Sequence, residues 1–490
     1  MRFSLEKTLQ GECLVVKGRP RAPEVRPRPM IGHQKGNRRM IGREAAIRLL
    51  KKVVGESQAD QTEALLMTED SSLTRFAQSA VHQHVAEKNG TLIIRVVLGK
   101  RIAVVTTNVL QSASPKNALQ QAISLAKVQR PQDDFVSLPD AKPISEIPTS
   151  SENIRRLTPS RKVTLLKDLF GFAKARGFQT SGAFSHGEVE VAVVNSLGVE
   201  AYQPYSDLFL HLIAEDGRNS GYASFVARDA DRLNIEGLAQ EAIAKASKGE
   251  PIQIEPGEYE TVLEPYAVSE LLAFLGYLGF HALSVQEGRS FFCNTFGKRL
   301  VDTKVTVYDD GLDPEGLQVP FDFEGVPKQK VTFLEEGVVK EVTYDSFTAG
   351  REGRHSTGHG HIAPNTEGPI PINLFMKGGT SSTEEMIRTV RKGIYVTRFH
   401  YTNVMEPMKA VITGMTRDGT FLIEDGEITR PIKNLRFTES ILKALSRVNA
   451  ISRDRRVCSE GTVYSRRFIT GTVAPAIKVD GFNFSGVSSL

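Results

Sequence analysis

From residue 40 to about 250 the chain runs twice through one order: a helix, a set of β-branched strands, and a second helix. In the first pass, "REAAIRLLKKVVGES" sets apolar residues at helical spacing with basic residues opposite. "TLIIRVVLGKRIAVVTTN", Thr91 to Asn108, is two β-branched runs meeting at Leu98-Gly99-Lys100, which predicts a hairpin. "SASPKNALQQAISLAKV" has a Ser-Pro start and apolar spacing of three and four, which predicts a helix. The second pass has a helix in "RKVTLLKDLFGFAKARG", strands through "EVEVAVVN", "VEAYQPYSDLFLHLIAED" and "SGYASFVAR", and a helix in "IEGLAQEAIAKASKG". Such a chain must build sheets covered by helices, and the repeated order is consistent with an internal duplication.

The Pro- and Ser-rich stretch Asp133 to Ser160 separates the two passes as a linker or long loop. Past "PIQIEPGEYETVLEPYA" strands dominate, as in "KVTFLEEGVVKEVTYD", "MKAVITGMTRDGTFLIEDGEITRPI" and "TGTVAPAIKVDGFNFSG". One helix interrupts them: "SSTEEMIRTVRKG" carries a capping box from Ser382 to Glu385 and is expected to end at Gly393. The expected fold class is α+β, with a mixed α/β N-terminal region and a β-rich C-terminal domain. The expected divisions are a basic tail at 1–39, an N-terminal α/β domain at 40–150, a central α/β domain at 151–255 and the β-rich domain at 256–490.

At 490 residues the chain is long enough for two or three cores. Hydrophobic residues at 40% and charged residues at 24% describe a globular protein. No apolar run approaches the ~18–20 residues of a membrane span, and the N-terminus does not read as a signal peptide, so a cytoplasmic location without a membrane partner is expected. Cys13, Cys293 and Cys458 are odd in number and widely spaced, which favours reduced thiols. The net charge of +5 is local: residues 1–40 hold ten Lys or Arg against three Glu, and the remainder sums to −2. That Pro- and Arg-rich tail has too little apolar content to fold alone. It is an arm for phosphates or acidic partners, a disordered extension, or a segment upstream of a true start at Met40.

The segment "AVSELLAFLGYLGFHALSVQEG" is apolar on nearly every side and is expected to be a buried helix containing His281, with Glu287 past its end. His281 reads either as a core histidine with a satisfied hydrogen bond or as a metal or catalytic residue. "GREGRHSTGHGHIAP" puts His355, His359 and His361 within seven residues, enough for a transition-metal site or a peptide-contacting loop, but its glycines leave the geometry open. Acids pair at Asp309-Asp310 and at Asp322 with Glu324, while Asp425-Gly426 within "IEDGE" reads as a two-residue hairpin turn. No H-E-x-x-H, G-x-S-x-G, P-loop or dinucleotide fingerprint occurs.

"EGRSFFCNTFGKRL", "PFDFEGVPKQKVTFLEEGVVKEVTYDSFTAGREGRHSTGHG", "GGTSSTEEMIRTVRKGIYVTRFHYTN", "ITGMTRDGTFLIEDGEITRPIKNLRF" and "TVAPAIKVDGFNFSG" stand in the order seen in the TldD/PmbA family. The N-terminal half resembles that family more loosely, in "DSSLTRFAQSAVHQHVAEKNGTLIIRVVLGKRIAVVTTN", "NSLGVEAYQ" and "PGEYETVLEPYAVSELLAF". The resemblance implies a PmbA/TldD-like fold, dimers enclosing a peptide-accessible cavity, and a link to proteolysis. It further implies a TldD subunit that is a zinc metalloprotease acting on unfolded or small peptides and a PmbA (TldE) subunit that pairs with it. Modulation of DNA gyrase is the family's other association.

In TldD-type chains this apolar segment carries H-E-x-x-x-H and a C-terminal cysteine completes the zinc site. With His281 as the second motif histidine, Gly276 and Tyr277 stand where the first histidine and the glutamate belong. With His281 as the first, Ala282 and Gln286 do. Cys458 lies a few residues too far upstream of "TVAPAI" to match the family cysteine. The resemblance therefore points to a PmbA/TldE-like member with no cofactor of its own. Zinc is expected on a TldD-like partner, and the partner is that subunit or a second copy of this chain. Two alternatives remain: a stand-alone metallopeptidase using His281, His355, His359, His361 and Cys458, and a DNA- or gyrase-associated regulator using the basic tail. The slightly acidic body disfavours nucleic acid.

Overall fold

The computed structural model describes residues 40–487 apart from 112, 248 and 460–465. The basic tail, with Cys13 and the arm read into it, lies outside the described residues. The first pass is α1 (Arg43–Gly55), β1 (Gln61–Ala77), β2 (Ala80–Leu98), β3 (Arg101–Thr107) and α2 (Ser114–Val128). The second is α3 (Glu152–Arg155), α4 (Pro159–Lys174), β4 (Gln179–Asn195), β5 (Glu200–Glu215), β6 (Ser220–Ala227) and α5 (Ile235–Ala246). Their strands form one antiparallel sheet in the order β3-β2-β1-β4-β5-β6, so stretches 40–150 and 151–255 meet through β1 and β4. The hairpin read at Leu98-Gly99-Lys100 is present, with Leu98 opposite Arg101 and Gly99 at φ +59°.

Both faces of this sheet are covered, which is why its strands read as near-continuous apolar runs rather than strict alternation. On one face Leu66, Leu92 and Ile94 pack with α1 and α2, and Phe184, Leu208 and Leu210 pack with α4 and α5. On the other, Leu65, Met67, Ile93, Val193 and Phe209 pack against Leu317, Phe321 and Ile469 from the C-terminal half. Consecutive residues of β1 thus serve opposite cores, as the two-residue strand period requires.

The remaining chain contains β7 (Gly257–Leu263), α6 (Pro265–Gly279), α7 (Ala282–Gln286), β8 (Val307–Asp309), β9 (Val331–Glu335), β10 (Val338–Val339), α8 (Ser346–Arg351), β11 (Asn373–Met376) and α9 (Thr383–Arg388). Then come β12 (Lys392–Glu406), β13 (Val411–Glu424), β14 (Glu427–Pro431), β15 (Leu435–Ser440), α10 (Ile441–Ser446), β16 (Val448–Cys458) and β17 (Gly471–Val487). Their order is β10-β9-β8-β11-β17-β15-β13-β12-β7, and β7 pairs back onto β17. The five strands β17, β15, β13, β12 and β7 therefore close on themselves, which removes the edges of that ring, while β10, β14 and β16 outside it each pair with a single strand. Phe399, Phe437 and Phe482 pack there with centroids 4.4–5.8 Å apart, each burial contributing about 1.5–3 kcal/mol.

The turn at Asp425-Gly426 joins β13 to β14 with φ +46° and +83°, the paired positive values a two-residue hairpin turn needs. The capping box from Ser382 to Glu385 is present, but α9 ends at Arg388 rather than at Gly393. Gly393 lies inside β12, opposite Ile423, where the pull of the sheet outweighs the helix-stop signal.

Candidate functional site

Helix α6 begins with Pro265 in its first turn, where a missing N–H costs nothing. Leu271, Leu272 and Leu275 face the core, and Gly276 is buried. A Cβ on Gly276 would lie 3.2 Å from Pro371 and 3.3 Å from Leu374, so no side chain projects from this point. The opposite face is open, with Ala273 exposed, Phe274 half-buried and Tyr277 48% exposed. This corrects the expectation of a helix buried on nearly every side.

The helix also stops earlier than its apolar run suggests. His281 is extended, at φ −127° and ψ 149°, and is the N-cap of α7 rather than part of α6. Its Nδ1 accepts from Ser284 N–H at 3.4 Å and its Nε2 donates to the Tyr277 carbonyl at 3.2 Å, a self-consistent neutral tautomer. Burial pushes its pKa down to about 4. Glu287 is the C-cap of α7, exposed and paired with Arg289 at 2.5 Å.

The three loop histidines go to different tasks. His355 is exposed. His359 is buried, with Nε2 2.9 Å from Asp309 Oδ1 and Nδ1 at the Thr357 carbonyl. His361 donates Nε2–H to the Ile370 carbonyl at 2.8 Å. Asp309 also accepts from Asn373 N–H at 2.7 Å and lies 3.7 Å from buried Lys328. Burial alone would raise its pKa, but Lys328 and His359 hold it well below the usual carboxylate range. Glu324 accepts from Arg95 and from the Ser346 N–H and hydroxyl, and Arg95 also binds Glu63 at 2.7 Å. Of the paired acids of the sequence, Glu324 thus ties the two halves together through Arg95, while Asp309 and Asp322 bind groups within the C-terminal half.

Sequence reading missed a second cluster, beside the open face of α6. Cys458 ends β16 with its thiol against the Ser269 hydroxyl, and burial pushes its pKa up to about 12. Arg456 grips Glu241 of α5 at 2.8 and 2.9 Å and also reaches the Tyr266 hydroxyl. Tyr266 in turn accepts from Ser224 N–H at 3.0 Å, and Lys245 binds Glu241 and Glu264. Burial would raise the Glu241 pKa, but Lys245 and Arg456 lower it. Glu241 and Arg456 lie 215 positions apart, and no local pattern announces their pairing. Cys293 and Cys458 are both free.

The residues at the position of the family's zinc motif do not fit the ion. Gly276 and Tyr277 offer no imidazole or carboxylate, and His281 spends both ring nitrogens on the backbone of Tyr277 and Ser284. Among the described residues, no three His, Cys, Asp or Glu side chains converge as a metal site.

Residues 256–486 match the PmbA/TldA metallopeptidase C-terminal domain, and residues 152–249 match the central domain of the same metallopeptidases. The chain belongs to the TldD/PmbA family. A Metalloprotease TldD homolog of Buchnera aphidicola subsp. Acyrthosiphon pisum is 26% identical over 210 residues, 41% of this chain and 42% of that protein. The chain therefore spans about two fifths of that relative's length. A Metalloprotease PmbA homolog of Haemophilus influenzae is 24% identical over 81% of this chain and 89% of its own length. TldE from Thermococcus kodakarensis shares the fold, with a TM-score of 0.79 at 21% identity over 90% of this chain and 99% of its own. A Thermotoga maritima chain that carries a DNA gyrase modulator name does so too, with a TM-score of 0.78 at 21% identity, again over 90% and 99%. No described helix is long and apolar enough to cross a membrane.

Proposed function

We propose that this family member is the PmbA/TldE-type half of a peptide-processing pair, handling substrate for a TldD-like zinc protease and holding no zinc itself. The observation that carries this reading is the conversion of His281 into a helix cap. Its two nitrogens are satisfied by Tyr277 and Ser284, and the helix face that could supply a second ligand meets Pro371 and Leu374 at Gly276.

The partner is a TldD-like subunit or a second copy of this chain, and the reading places the pair in the cytoplasm. Unfolded or small peptides add as strands to the C-terminal sheet, which uses backbone hydrogen bonds and tolerates varied sequence. The rearranged metallopeptidase is less well supported, because His359 and His361 are each committed to a protein partner.

Coexpression with a TldD-like chain, followed by peptidase assays of each chain alone and together, tests the proposal. Activity that needs both chains and is lost with chelator is expected. Chelator-sensitive activity from this chain alone would overturn it.

A further inference from the structure

An opening lies where the β8–β9–β11 side of the C-terminal sheet meets β16, and no residue of α6 lines it. Its volume is about 530 Å³, within the ~300–1,000 Å³ usual for ligand sites. Four cations line it, Lys330, Lys377, Arg453 and Arg455, with Tyr308 and a single carboxylate, Glu335. Glu335 is already engaged by Lys340 at 2.9 Å.

The site is built rather than accidental. Tyr308 is stacked on Phe375 at 5.1 Å and 5°, and Lys330 lies 4.0 Å from its ring centroid. Arg453 stands in a bulge where the β16 register on β17 breaks between Ile451 and Arg455. Bulges re-aim side chains. This one is caught by the segment after β11, since Gly379 N–H donates to the Ser452 carbonyl and Arg453 N–H to the Ser381 carbonyl. A Cβ on Gly379 would lie 2.4 Å from the Ile451 carbonyl, so only glycine lets Lys377 and Arg453 share one rim. Arg453 further donates to the Thr380 carbonyl at 2.9 Å.

The carboxylates that meet these cations, Asp310, Glu315 and Glu385, stand outside the lining, and two of them are more than half exposed. The Arg453–Glu385 pair is exposed on both sides and so worth about 0–1 kcal/mol, and an incoming anion displaces it at little cost. Lys377 has no ion-pair partner among the described residues. The cations come from separate strands and turns around an opening far larger than one phosphate, which suits several carboxylates along a chain.

We propose that this pocket binds the acidic part of an extended peptide, through carboxylates of Asp, Glu or a C-terminus. The inference rests on the peptide-handling reading above and adds a preference for acidic substrates. Arg453 and Arg455 lie on β16, the strand that ends at Cys458, so the pocket and the α6 face are carried by one element.

The test uses the full chain without a partner and three probes: the peptide acetyl-Ala-Glu-Ala-Glu-Ala-amide, its Gln counterpart, and inorganic phosphate. The Glu peptide is expected to bind at least about tenfold more tightly than the Gln peptide, with affinity falling as salt rises. Lys377→Gln and Arg455→Gln are each expected to weaken it about tenfold, with Lys51→Gln on α1 as an unchanged control. Equal affinity for the two peptides, indifference to both pocket substitutions, or binding of phosphate without the Glu peptide would each overturn the proposal. Partnered peptidase activity with an empty pocket refutes this inference alone and leaves the preceding one standing.

Discussion

Two arginines grip the N-terminal sheet and its helices from either end of the β16–β17 connection, each holding one carboxylate with two nitrogens but in different solvent. Arg467 places Nε and Nη2 at 2.8 Å from the two oxygens of Asp207 on β5, adds Ser185 at 2.8 Å, and is 5% exposed. Arg456 places Nη1 and Nη2 at 2.8 and 2.9 Å from Glu241 and is 38% exposed. A charge pair sealed from water is weak evidence of net stability, yet breaking it strands a charge that nothing else can solvate. A pair open to water and backed by Lys245 can lose one member and be repaired by solvent. The first is an anchor; the second can rearrange beside the α6 face.

Removing the Asp207 carboxylate should therefore be the largest effect. Asp207→Ala is expected to cost about 3–5 kcal/mol in urea denaturation, because Arg467 keeps its charge in a dry site. The pair Asp207→Leu with Arg467→Met should recover most of that loss. A single-substitution cost below about 1 kcal/mol would break the comparison at its strong end.

Lys162 of α4 sharpens it, being a buried cation with no carboxylate partner among the described residues. Its Nζ has Ser72 Oγ at 3.1 Å, the Ser72 carbonyl at 3.3 Å and the Phe184 ring at 5.1 Å. Burial, helped by Arg467, pushes its pKa from 10.5 down to about 7. Between those values the unfolded chain holds the proton and the folded chain does not. Its penalty is thus full below about pH 7 and is relieved as pH rises toward 10.5. Lys162→Met should remove a rise of up to about 5 kcal/mol across that window. An unchanged slope in the variant's stability profile would show that Lys162 stays charged.

Arg456→Ala should cost less, about 1–2 kcal/mol, since Glu241 keeps Lys245 and the site remains wet. Its sharper readout is peptidase activity with a partner. A change there larger than the change in stability would tie the open pair to substrate handling.

The sequence carries these contrasts unevenly. Turns at Gly99 and Asp425-Gly426 were legible because the backbone angles they need are written in the residue types at those points. The start of α9 was legible for the same reason, and its end was not, since Gly393 is claimed by pairing with β13. Asp309 and His359 were each visible as candidates, but their union spans 50 residues and depends on the packed sheet. The burial of Lys162 is a tertiary fact that helical periodicity cannot encode, for the lysine sits on the same face as Leu166 and Leu169.

His281 is the closest case, and it gives the smallest expected effect. Periodicity carried α6 through it, whereas Phe280 bonds to Thr343 and turns the chain so that the imidazole caps α7. A cap of this kind is worth about 1 kcal/mol, so His281→Ala should lower stability by that amount at neutral pH. With a folded pKa of about 4 against 6.5, the histidine is neutral in the fold, and the stability it supports is lost as pH falls from 6.5 toward 4. The variant should therefore draw level with the parent chain part-way down that range and be the more stable of the two in stronger acid. His281→Asn, which keeps an acceptor for Ser284 N–H, should restore neutral stability without restoring the acid slope. A zinc ligand would behave otherwise: its removal would change bound metal, and asparagine would not rescue it.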